Sequence, residues 1–197
     1  MKCRSDLRAS CLFAALSFGI GCSSDSEAPP ESGDAPQCEV VEAEQVPASA
    51  AHEVGCPDLA YDTDPPSGGP HYQDWAAFQT YTFPVPHGFL VHSLEHGAIV
   101  FWYNCPEGCA AEVARAQAVL DAQPVDPLCS GRGTNRRAIL TPSPTLGSRW
   151  AASSWGWTLT ADCFDESAFG AFYAAHYAQG PENFCSPGVV VTPALCP

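Results

Sequence analysis

The sequence predicts an α+β fold, a two-layer sandwich of a mostly antiparallel sheet with two helices. Three observations carry that expectation. Residues 98–103, "AIVFWY", form a continuous apolar run rich in strand-favouring residues. Two alanine-rich stretches, 107–122 and 165–178, read as helices. The stretches "RRAILTP" and "WAASSWGWTLTA" supply further strands between them, so helices and strands are segregated. A long Pro/Gly-rich loop precedes the first strand, and the arrangement is ferredoxin-like if a last strand, "GVVVTP" at 188–193, pairs in the sheet.

Taken in order, the chain opens with Lys2, Arg4 and Arg8, an apolar run from Cys11 to Ile20, and then Gly21-Cys22. A basic start and a short apolar stretch before small residues read as a secretory signal at 1–21. The run is too short to cross a bilayer, which takes about 20 apolar residues. Its "GIGC" ending resembles the lipobox of bacterial lipoproteins, which implies lipidation at Cys22 and an exported, membrane-anchored chain on the cell envelope. Gly19 departs from the leucine usual at the first position of that motif, and cleavage without a lipid is the alternative. Residues 22–37 contain small, acidic and proline residues besides Gln37 and read as a disordered acidic tether. Residues 38–197 then make one domain of ordinary size.

Within that domain, residues 62–88 are dense in Pro, Gly and aromatics. They read as an irregular loop packed by Trp75, Phe78, Tyr81 and Phe83. The strand at 98–103 follows. The helix at 107–122 aligns Ala110, Val113, Ala116 and Leu120 on one face, with Gln117 at its edge. A second strand ends at Pro142, and residues 150–161 make a third. The last helix begins near Asp162–Asp165 and stops at Gly180 and Pro181.

Charge and cysteines bound the chemistry. Without residues 1–21 the chain keeps five arginines and no lysine against 21 acids, a net of −16. Such a surface repels phosphate backbones and anionic lipid, which excludes nucleic acid as a partner. A lipid would be the link to a membrane, and no protein partner is indicated. Setting aside Cys3, Cys11 and Cys22, eight cysteines remain: Cys38, Cys56, Cys105, Cys109, Cys129, Cys163, Cys185 and Cys196. An even set in an exported chain reads as four disulfides of undetermined pairing. "CPEGC" lacks the second pair a zinc knuckle needs and the two-residue spacing of a thioredoxin-type redox pair. A P-loop, a dinucleotide-binding glycine motif and a nucleophile elbow are absent, so no nucleotide cofactor is expected.

One short stretch concentrates chemistry: "VHSLEHGAIVFWY", 91–103, with His92, Glu95 and His96. If 91–96 is a helical turn capped by Gly97, all three fall within an arc of about 100°. If it is extended, His92 and His96 share a face and Glu95 points away. Imidazoles suit zinc, copper or iron, and a carboxylate completes the set or orients a ring. The spacing matches that of inverted zinc peptidases, but the glycine and strand that follow leave no room for the long helix such an enzyme needs. A polar turn satisfied by backbone groups is the plain alternative.

Together with "PPSGGPHYQDW" at 65–75, this stretch is similar to the paired signatures of the bacterial domain of unknown function 3105 family. The family shows a Pro-Pro-x-Ser-Gly-Pro-His loop and a His-x-Leu-Glu-His-Gly segment leading into an apolar strand. "LTPSP" and "WGWTLTADCFDESAFGAFY" resemble its later segments, so the resemblance covers roughly 56–183. Gly68 stands where the family often has serine, and the eight cysteines are not a general family feature. The resemblance implies a fold unit and candidate residues without an established activity. It also adds His71, which its motif sets beside His92, Glu95 and His96 as a fourth metal-ligand candidate for zinc, copper or iron. His87 is an alternate ligand, His176 a core histidine on an apolar helix face, and His52 a solvent-exposed residue. The expected function is metal binding. A metal-assisted enzyme with Glu95 as general base and an envelope interaction module without metal are the alternatives.

Overall fold

The computed structural model describes residues 37–47 and 49–196. The signal segment, Cys22 and all of the tether but Gln37 lie outside them. In chain order the elements are β1 (Val40–Glu44), β2 (His52–Glu53), β3 (His71–Tyr72), α1 (His87–Glu95), β4 (Ile99–Tyr103), α2 (Ala110–Asp121), β5 (Ala138–Pro142), β6 (Trp150–Ser154), β7 (Trp157–Ala161) and α3 (Glu166–His176). Five strands form one sheet in the order β1-β7-β6-β4-β5, antiparallel except where β4 and β5 run parallel. The fold is therefore an α+β sandwich on a mostly antiparallel sheet.

Strand β4 is apolar throughout because both of its faces are covered. Ile99 and Phe101 meet Ala116 and Leu120 of α2 and Phe169 and Phe172 of α3 in one core cluster. Val100 and Trp102 face the other way, into a second cluster with Phe89, Leu90 and Leu94 of α1 and with Tyr72, Tyr81 and Val85 of the Pro/Gly-rich loop. Of that third helix, the sequence offers only a possible turn at 91–96. Its nine residues follow directly on a loop rich in proline, and every residue from Gly88 to Glu95 is buried, so it shows no amphipathic stripe.

Two other segments differ from expectation. Residues 150–161 form a hairpin, not one strand, because Trp155-Gly156 turns the chain and Gly156 takes φ +76°. The segment at 188–193 does not join the sheet; Val189 makes a single bridge to Ala76, and β1 occupies the far edge instead. The eight cysteines pair as Cys38–Cys163, Cys56–Cys196, Cys105–Cys109 and Cys129–Cys185. Four disulfides point to an oxidising, extracytoplasmic setting. Among the described residues, no helix is long and apolar enough to cross a membrane.

The end of α1 is built tightly. The amides of Gly97 and Ala98 donate back to Leu94 and Ser93, the paired bonds of a Schellman ending, with Gly97 left-handed at φ +82°. A Cβ there would come within 2.8 Å of the Ala178 backbone, so glycine serves both conformation and close approach. Arg137, 1% exposed, caps the same end: Nη1 donates to the His96 carbonyl at 2.6 Å and to Asn183 at 2.7 Å. Its Nε and Nη2 donate to Asp126 at 3.1 and 2.7 Å, and the Tyr177 hydroxyl donates to the same carboxylate oxygen at 2.6 Å. Burial pushes the Asp126 carboxyl up, but the Tyr177, Leu128 and Arg137 hydrogen bonds outweigh it and hold the group below the usual carboxylate range.

Removing the anion from a buried pair strands the cation, so Asp126→Asn should destabilise the domain by about 3–5 kcal/mol in denaturant melts. Arg115→Ala, which breaks the exposed Arg115–Glu166 pair, should cost less than about 1 kcal/mol.

Candidate metal centre

Helix α1 holds two of the candidate residues at i and i+3, His92 and Glu95, both 3% exposed. The helical alternative for the stretch is thus the one adopted. The other contributors come from a two-stranded parallel ribbon in which His52 of β2 lies opposite His71 of β3. The "SGGPH" loop makes that ribbon: Gly68 and Gly69 take positive φ, and the His71 amide donates to the Ala51 carbonyl at 2.9 Å. Four side chains from three segments so meet at one point.

Their geometry is convergent. The ring centres of His52, His71 and His92 form a near-equilateral triangle with sides of 4.5, 4.8 and 4.8 Å. Oε2 of Glu95 lies 3.0 Å from Nε2 of His71, 3.6 Å from Nε2 of His52 and 3.9 Å from Nε2 of His92. Ligands on one tetrahedral zinc stand about 3.3 Å apart, given bonds of about 2.0–2.1 Å. The observed separations bracket that value.

The second nitrogen of two of the rings is fixed. Nδ1 of His71 lies 2.9 Å from the Gly69 carbonyl, and Nδ1 of His92 lies 2.7 Å from the Tyr72 carbonyl. A carbonyl only accepts, so each Nδ1 donates to it, and each ring turns its Nε2 towards Glu95. This is how metal-bound imidazoles are oriented by their outer partners. Nε2 of His71 and Oε2 of Glu95 are both buried and make no hydrogen bond, although they are 3.0 Å apart.

The His96 ring stands beside that of His92, with centres 4.6 Å apart, but it is not among the four converging ligands. On a helix of about 100° per residue, Glu95 and His96 lie on opposite sides of His92. His96 is the C-cap of α1, and its Nε2 turns to Glu182 at 3.4 Å, against Trp75 and Phe184. His52 is exposed, as expected of its polar surroundings, yet it joins the cluster. No sequence spacing brings it to His71, because their pairing is long-range; the available hint was that the chain has only six histidines. His87 sits at the start of α1 against Trp102, where burial pushes its imidazole down, apart from the cluster. His176 is a core histidine, stacked on Trp157 and bonded to Glu42 at 3.0 Å.

With this geometry in place, the family comparison bears on the same residues. A family model described as a protein of unknown function (DUF3105) matches residues 52–187, a stretch that includes both His52 and Glu182. No curated protein and no solved structure matches the chain.

Burial pushes the His92 imidazole down from 6.5 to about 4; the Tyr72 carbonyl opposes this, and neighbouring imidazoles add to it. Burial likewise takes His96 to about 4. Between about 4 and 6.5 the unfolded chain binds protons on these rings and the folded chain does not, so stability rises with pH across that window. The stability these two rings contribute to the metal-free domain should therefore be fully present above about pH 6.5 and be lost progressively as pH falls towards 4. Denaturant midpoints at several pH values check this, and a His92→Gln/His96→Gln variant should show a smaller loss.

Proposed function

The chain belongs to the family of proteins of unknown function DUF3105, and we propose that it is an envelope lipoprotein domain that binds a transition metal through His52, His71, His92 and Glu95. One observation carries the reading: three imidazole nitrogens converge on one buried carboxylate oxygen that makes no hydrogen bond. A single proton shared by His71 and Glu95 would satisfy that pair alone and leave the convergence of His52 and His92 without a purpose. One cation uses all four. Three nitrogen donors and one oxygen suit zinc, copper or iron. Thiolate ligation is not in competition, because the eight cysteines are paired.

The same geometry bears on the enzyme reading. The His52 side chain is 42% exposed, which gives solvent and small ligands an approach to the metal. A carboxylate committed as a ligand is a poor free base, however, so Glu95 is better described as a ligand than as the general base of a hydrolase.

Elemental analysis of the purified exported protein tests the binding. Wild type should carry bound metal and His71→Ala/His92→Ala should not; equal content would overturn the proposal. In zinc titrations, His52→Ala should weaken binding by at least about tenfold, since even outer partners of a metal site contribute that much.

The envelope assignment draws on the signal pattern and on the disulfides. Labelled palmitate should enter the wild-type chain and not Cys22→Ala; equal labelling of the two, or none in either, would remove the lipid anchor from the proposal.

A further inference from the structure

Outside the four-residue set, two buried side-chain nitrogens among the described residues have no hydrogen-bond partner, Nε of Arg136 and Nδ1 of His96, and only the second belongs to a possible metal ligand. His96 is 3% exposed, and its Nδ1 has no hydrogen-bond partner. Its other nitrogen lies 3.4 Å from a carboxylate oxygen of Glu182. The ligand atoms of Glu95, His96 and Glu182 all lie within 4.8 Å of one another, as do those of His52, His71, His92 and Glu95. Glu95 is common to both groups.

We propose that the centre is dinuclear, with a second divalent cation held by Glu95, His96 and Glu182 and the Glu95 carboxylate bridging the two ions. The inference rests on the reading of the first site as a metal site. A carboxylate has two oxygens and can bind two metals, and paired catalytic metals stand about 3.5–4 Å apart, a span one bridging carboxylate covers. On the helix His92 lies between Glu95 and His96, and the Glu95 carboxylate is the ligand group common to the two sets. Two carboxylates and one imidazole make the second position richer in oxygen than the first, which suits zinc, manganese or iron.

The position of Glu182 is built and not incidental. Its amide donates to the Glu95 carbonyl at 3.0 Å, and Asn183 is held by Arg137. Gly180 lets this turn lie directly on the end of α1, since a Cβ there would collide with the Glu95 and Leu94 carbonyls. The Glu182 side chain is 56% exposed, so this second position faces solvent and should be the weaker of the two.

Titration of the metal-free protein with Zn²⁺, with bound metal counted after gel filtration, separates the outcomes. Wild type should bind two ions per chain in two phases. His96→Gln and Glu182→Gln should each bind one, with the affinity of the tighter phase kept within about threefold. Glu182 is exposed, so Glu182→Gln keeps the test sound if His96→Gln misfolds. One ion in wild type and in both variants overturns the second position and leaves the first; two ions in both variants also overturns it. No ion in any chain overturns both readings. Loading with Co²⁺ adds a readout that a mere His96–Glu182 contact would not move. The paramagnetic resonance signal of the first equivalent should broaden or vanish on the second in wild type, and should persist in Glu182→Gln.

Discussion

A buried guanidinium organises this domain. Arg137 stands just before β5, and from there it reaches the His96 carbonyl at the end of α1, Asp126, Tyr177 and Asn183. A charge taken out of water is tolerated only when its donors are matched, so each of those partners is fixed relative to the sheet. The result is that α1 can end abruptly against β4, with Gly97 and Gly180 allowing backbones to meet where any side chain would intrude. Hydrophobic burial fills the two cores, but it is non-directional. The directional contacts around Arg137 set where the last turn of α1, and hence Glu95, comes to rest.

That placement is unfavourable for Glu95 in the absence of a cation. An acid in the last turn of a helix faces the negative end of the helix dipole. This one is also buried, and its Oε2 faces three imidazole nitrogens without making a hydrogen bond. The three imidazoles around it are aimed by carbonyl contacts and the ribbon register, so the chain cannot easily turn them away. A cation reverses each penalty at once: it neutralises the acid, opposes the dipole and takes the lone pairs. Polar groups held in an unfavourable arrangement by a well-packed surround are the usual mark of a functional site.

How much of this was legible in the sequence follows from which contacts are local. Strand β4, helices α2 and α3 and the stop near Gly180 could be read because periodicity and turn residues act over a few positions. The nearness of His92 to Glu95 could be read from helical spacing. The full length of helix α1 could not; only its last turn, at 91–96, could be read, as one of two alternatives, because a helix buried on all sides carries no polar stripe to reveal it. His52 escaped for a different reason: its partner His71 is reached through a two-residue parallel ribbon, a pairing that no local pattern encodes. His96 was grouped with His92 by spacing alone, whereas the C-terminal segment bearing Glu182 and Phe184 sets the direction of its ring.

The disulfides complete the same logic. His52 and Glu182 are the two metal-site candidates outside the packed helix and loop, and both are exposed. Each lies within four residues of a cysteine that is cross-linked to a distant part of the chain: Cys56 to Cys196, and Cys185 to Cys129. A cross-link over 140 or 56 residues removes much of the freedom of the unfolded chain. It also limits how far its neighbours can wander once folded. The interior candidates, His71, His92 and Glu95, are held by packing and hydrogen bonds. The exposed ones are held by staples, which lets candidates that face solvent stay in register without a core above them.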